Sequence, residues 1–133
     1  MGLKSRKISD DIVLDAMRRI YSSIDEYGVE LDWMGYEMDE DDNQPVFHHI
    51  ISEKDGGSDD ISNGAVLGRY SRHILHQLRT LDPELHDSWN DCFAVINRMQ
   101  TYPSDEVWNM VMSLQAQTEQ VLKADTKVLR RVK

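Results

Sequence analysis

The chain has 133 residues, 40% apolar and 29% charged, and a formal net charge of −9. That length suits one domain whose core needs no covalent staples, and a lone cysteine excludes an internal disulfide. Apolar runs are too short to cross a bilayer, and no apolar stretch follows the basic start as in a signal peptide, so a cytoplasmic address is expected.

Charge is unevenly distributed. Residues 1–24 carry net +2, residues 25–60 net −12, residues 61–122 net −3 and residues 123–133 net +4. Basic ends flank an acidic middle. The ends, 1–8 and 123–133, read as a basic arm and a basic tail that fray from a single domain spanning 1–133.

Ser9 offers an N-cap, Asp10 and Asp11 suit a first turn, and Val13, Met17, Ile20, Ile24 and Tyr27 recur at helical spacing. Gly28 then closes a helix over about 10–27. Residues 29–44 form an acidic insert, either irregular or hairpin-like, in which Val29, Leu31 and Trp33 alternate with acids. Pro45 can open a short helix burying Val46, Phe47, Ile50 and Ile51, which Gly56-Gly57 would end.

From Ile61 to Gln100 the pattern predicts two amphipathic helices folded back at Asp82-Pro83. Leu67, Tyr70, Ile74, Leu78 and Leu81 make the apolar stripe of the first, with Arg69, Arg72, His76 and Arg79 opposite. Leu85, Trp89, Cys92, Ile96 and Met99 make the stripe of the second. Tyr102-Pro103 breaks the chain and Ser104 caps a last helix. Its Val107, Val111, Leu114, Thr118 and Val121 form a heptad seam that predicts packing on the hairpin, and beyond Asp125 a possible homodimer contact. The fold expected is all-α, a compact bundle of four long helices plus one short helix, with the insert at about 29–44.

The chemistry-bearing residues form no strong motif. His73 and His76 lie three apart on one helix but beside arginines that would repel a cation, so no metal or cofactor is expected. Cys92 falls on an apolar stripe and reads as a core residue. His86-Asp87 resembles the paired ligand of HD-type phosphohydrolases, which would need His48 or His49 upstream and Asp125 downstream; the dipeptide alone is common by chance. The acids Glu37 to Asp42 resemble the carboxylate clusters of all-α nucleotide pyrophosphohydrolases, without a second helical acidic motif. Gly64 and Gly68 suggest close helix packing. No phosphate loop or other catalytic signature is present.

The acidic middle interleaves nine acids with Tyr27, Trp33, Met34, Tyr36 and Met38. Aromatics rimmed by charge are what protein interfaces use as anchors. The leading expectation is therefore a non-enzymatic binding module. Trp33, Tyr36, Glu37, Asp39, Glu40, Asp41 and Asp42 would engage a basic partner protein and inhibit a nucleic-acid-binding machine by charge mimicry. Small acidic helical proteins of mobile elements are similar in kind, though no motif carries that likeness. The alternative is a nucleic-acid-binding regulator using Arg69, Arg72, Arg79, Arg130 and Arg131, and behind it a small metal-dependent phosphohydrolase.

Overall fold

The computed structural model describes residues 27–99 and 104–132, together with Leu14, Met17, Arg18, Ser23 and Ile24. Side chains beyond residue 125 lie outside that description. The elements are β1 (Ser23–Ile24), β2 (Glu30–Leu31), β3 (Pro45–His49), β4 (Gly64–Gly68), α1 (Arg69–Leu81), α2 (Pro83–Met99) and α3 (Asp105–Val132). Among the described residues none of the helices is long and apolar enough to cross a membrane.

The expected bundle of four long helices plus a short one is corrected by this arrangement, which among the described residues has three bounded α-helices and small antiparallel sheets. The first long helix was expected to run through residue 27. Leu14, Met17 and Arg18 are helical, but Ser23 and Ile24 are extended and pair with Leu31 and Glu30. The short helix at 45–51 is instead β3, and residues 64–68, expected to be helical, are β4. The two strands pair antiparallel in full register, from Pro45 opposite Gly68 to His49 opposite Gly64. Apolar runs of three to six residues fit a buried strand as well as a helix. Here long-range pairing decides, because β4 is buried along its whole length and its backbone groups need partners.

Gly64 and Gly68 admit close packing between a strand and its neighbours, not between helices. A Cβ on Gly68 would stand 2.0 Å from the Asn43 carboxamide oxygen, and one on Gly64 2.4 Å from the Phe47 ring. The strand runs directly into α1, so β3, β4 and α1 form one continuous β–β–α unit. On α1 the buried face is Ser71, Ile74, Leu75 and Leu78. The face is rotated from expectation, leaving Tyr70 60% and Leu81 39% exposed.

Asp82 caps α2 through an Oδ1 that accepts from the Leu85 amide, and Pro83 fills the first helical position. Leu85, Trp89, Cys92 and Ile96 are buried as their spacing predicts, with Phe93 added. Val107, Val111, Leu114 and Thr118 of α3 pack onto the same core. Thr118 is fully buried because its hydroxyl is used twice, accepting from the Trp89 indole and donating to the Leu114 carbonyl.

Candidate histidine and arginine groove

The acidic insert is tied inward. Trp33 is 3% exposed, its ring 6.5 Å from that of Phe93 and its amide donating to the Val66 carbonyl. Met34 and Met38 are also buried. Tyr36 is half-buried, and burial with the nearby Glu119 pushes its hydroxyl up to about 12. Asp32 organises the turn. One carboxylate oxygen accepts from the Met34 and Tyr36 amides and the other from the Gly68 amide. Burial nonetheless holds its pKa above the usual carboxylate value. Glu37, Asp39, Glu40, Asp41 and Asp42 remain exposed. Asp39 accepts from the amides of Asp41, Asp42 and Asn43, which lowers its pKa.

Of the basic residues, Arg69 and Arg79 are exposed and Arg72 is half-buried. Arg130 and Arg131 belong to α3 by backbone, and their side chains are outside the described residues. Arg72 and Arg79 are brought to one place. With His76 they form the α1 wall of a groove of about 500 Å³. Its other walls are Phe47 to Glu53 and Asp55, from β3 and the loop after it, and Pro83, His86, Asp87 and Asn90 of α2. Four of the five histidines therefore face one space; His73 does not line it.

The imidazoles there are set differently by their neighbours. His48 is 8% exposed and its Nε2 lies 3.0 Å from Asn90 Oδ1, an acceptor that places the ring proton on Nε2. Burial lowers its pKa to about 4, with His76, Arg72 and His49 adding repulsion, so it is neutral at pH 7. His76 is shifted down too, by partial burial and by Arg72 and Arg79. His49, the next residue and the end of β3, lines the groove as well. Its Nε2 is 2.7 Å from Asp59 Oδ1 and 3.5 Å from Glu53 Oε1. An imidazole whose Nε2–H is held by a carboxylate keeps its Nδ1 lone pair available as a base.

The loop that carries these carboxylates is pinned by one buried side chain. Asn63 donates to the Ile51 and Ser58 carbonyls and accepts from the Ile51 amide. Gly57 lies so close that a Cβ there would sit 1.7 Å from the Ile51 carbonyl oxygen.

His48, His49, Glu53, Asp59, Asn63 and Asn90 were not expected to act together from sequence. The signal in the sequence is weak: Val46-Phe47 and Ile50-Ile51 flank His48-His49, and Gly56-Gly57 and Asn63 lie between them and Ala65-Val66-Leu67. Of the two enzyme-like patterns weighed, His86-Asp87 does share the groove with His48 and His49, while Asp125 sits on α3 and does not line it. Cys92 is a core residue, its thiol raised to about 11 by burial. Comparison with protein-family models, curated proteins and solved structures finds no match to the chain.

Proposed function

We propose that the groove binds a phosphate diester, of the kind a nucleic-acid backbone presents, and hydrolyses it. What carries this reading is that a carboxylate-held histidine, His49, opens on the same groove as Arg72 and Arg79. The division of labour follows from their chemistry. The guanidiniums balance the charge that develops on the phosphoryl oxygens. His49, its Nε2–H held by Asp59, takes a proton from water at Nδ1 as the water attacks phosphorus; the P–O bond to one sugar breaks, and the departing alkoxide takes its proton from solvent water. His48 and His76 line the same groove as neutral imidazoles, so its positive charge comes from the two arginines. The groove is open and polar, which suits a polymer backbone better than a small apolar ligand. The net charge of −9 opposes long-range attraction of a polyanion, so affinity rests on local arginine contacts and on divalent counterions.

This reading joins the two secondary expectations, nucleic-acid binding and phosphohydrolysis, at one place. The acidic-interface expectation has less support, because Trp33 is covered by the core. The test is cleavage of end-labelled single- and double-stranded oligonucleotides with and without Mg²⁺. His49→Ala is expected to reduce cleavage at least a hundredfold while binding persists, since general-base catalysis supplies about 10²–10⁴. Arg72→Ala with Arg79→Ala is expected to weaken binding and flatten its salt dependence. No cleavage by the wild type, or full cleavage by His49→Ala, sinks the proposal.

A further inference from the structure

The Nε2 edge of His49, opposite the Nδ1 base nitrogen, has a second use. Its Nε2, a Glu53 carboxylate oxygen and an Asp59 carboxylate oxygen all lie within 4.8 Å of one another. We propose that these three side chains bind a divalent transition-metal ion of the Zn²⁺ class, and that its binding switches the groove off. The metal site stands on its own geometry; only its inhibitory effect rests on the hydrolytic reading above.

One imidazole nitrogen with two carboxylates is a donor set that Zn²⁺, Co²⁺ and Mn²⁺ accept, with remaining positions open to water. An ion bonded at about 2.1 Å to each donor in tetrahedral geometry needs donors roughly 3.4 Å apart. His49 Nε2 and Glu53 Oε1 are already at 3.5 Å, whereas Nε2 and Asp59 Oδ1, at 2.7 Å, must part slightly to admit the ion. The Glu53 and Asp59 side chains are 45% and 41% exposed, so an ion reaches them from solvent. The scaffold beneath them is fixed. His49 ends β3, and Glu53 opens a tight turn (Glu53–Asp55) closed by Gly56 at φ 89. Asp59 follows Ser58, whose carbonyl Asn63 holds. Asn63 thus ties both sides of the loop.

The consequence for His49 is a matter of proton count. A neutral imidazole carries one N–H. With Asp59 holding that proton on Nε2, Nδ1 is the acceptor. A metal on Nε2 displaces the proton, and the neutral ring then carries it on Nδ1. The nitrogen that accepted a proton from water becomes a donor, and base catalysis stops.

Co²⁺ serves as a spectroscopic probe, titrated into the full chain and followed by its visible d–d absorption, with Zn²⁺ competition read by calorimetry. In wild type and in His48→Gln a saturable site is expected. In Glu53→Gln and His49→Gln the affinity of that site should fall at least tenfold, with circular dichroism confirming that the variants are folded. Cleavage assays add the second readout: Zn²⁺ should inhibit the wild type, and Glu53→Gln should require at least tenfold more Zn²⁺ for the same inhibition. Equal Co²⁺ affinity in folded Glu53→Gln and wild type, or no saturable site in wild type, overturns the metal site. A Glu53-dependent site in a chain that cleaves nothing keeps the metal site and overturns the hydrolytic reading instead. Cleavage that a bound, Glu53-dependent ion leaves unchanged overturns the switch.

Discussion

Two loops of similar size flank β3, and each is anchored by buried polar side chains. In the first, residues 32–43, Asp32 collects the amides of Met34, Tyr36 and Gly68. In the second, residues 50–63, Asn63 collects the Ile51 amide and the carbonyls of Ile51 and Ser58. The first looks richer in functional residues but spends them internally. Trp33, Met34 and Met38 go to the core, and the Asp39 carboxylate accepts from its own loop. The second is poorer in large side chains, yet it holds Glu53 and Asp59 against His49 at the edge of a groove. Aromatic and acidic content therefore says little about where chemistry resides. What the anchoring residue leaves facing solvent says more.

The largest effect expected on either side of this comparison is that of Trp33→Ala. A side chain 3% exposed against Phe93 should cost about 3–5 kcal/mol of stability on truncation. Chemical denaturation measures it. A loss under 1 kcal/mol would return Trp33 to the surface and restore the acidic loop as an interface.

Next comes Asn63→Ala. Removal strands an amide and two carbonyls that the loop cannot fully hand to water, at a cost of about 2–3 kcal/mol. The effect should concentrate in 50–63, raising amide exchange there while α2 and α3 stay protected. Uniform loss of protection would mean that Asn63 supports the whole fold and not its loop.

The difference between the loops was only partly legible in the sequence. Helices α2 and α3 follow from unbroken three-four spacing over long windows, and Asp82-Pro83 marks the corner between α1 and α2. The strands did not, because Val46, Phe47, Ile50 and Ile51 satisfy a helical stripe as well as a strand, and Ala65-Val66-Leu67 is too short for any period to show. Gly64 and Gly68 were read as helix-packing residues. Their role depends on Phe47 and Asn43, partners 17 and 25 residues away that no local pattern reveals. The groove was hidden for the same reason. His48 and His49 meet Arg72, His76 and Asn90 only once β3 and β4 pair in register and β4 turns straight into α1.

A smaller effect distinguishes the groove side by pH. Folded His48 resists protonation down to about pH 4, from an ordinary value of 6.5. Between those values the unfolded chain takes up a proton that the folded chain does not. Stability is therefore complete above pH 6.5 and declines as pH falls toward 4. From pH 7.5 to 5.5 this contributes a loss of about 1 kcal/mol. His48→Gln should lose that much less than wild type over the same interval, a difference that cancels contributions from other groups. Equal losses would mean that His48 is protonated in the folded protein and that Asn90 does not hold a neutral ring.

The smallest effect tests the acidic loop at its tip. The amides of Asp41 and Asp42 donate to Asp39, but their own carboxylates are exposed in a segment, 25–60, that carries net −12. Asp41→Asn with Asp42→Asn keeps both amides and removes two mutually repelling charges. Stability should change by less than about 0.5 kcal/mol, in the stabilising direction, and the gain should shrink in 0.5 M salt as screening takes over. A clear destabilisation, persisting in high salt, would mean that these carboxylates hold a partner within the fold, and the first loop would then be a built site as the second is.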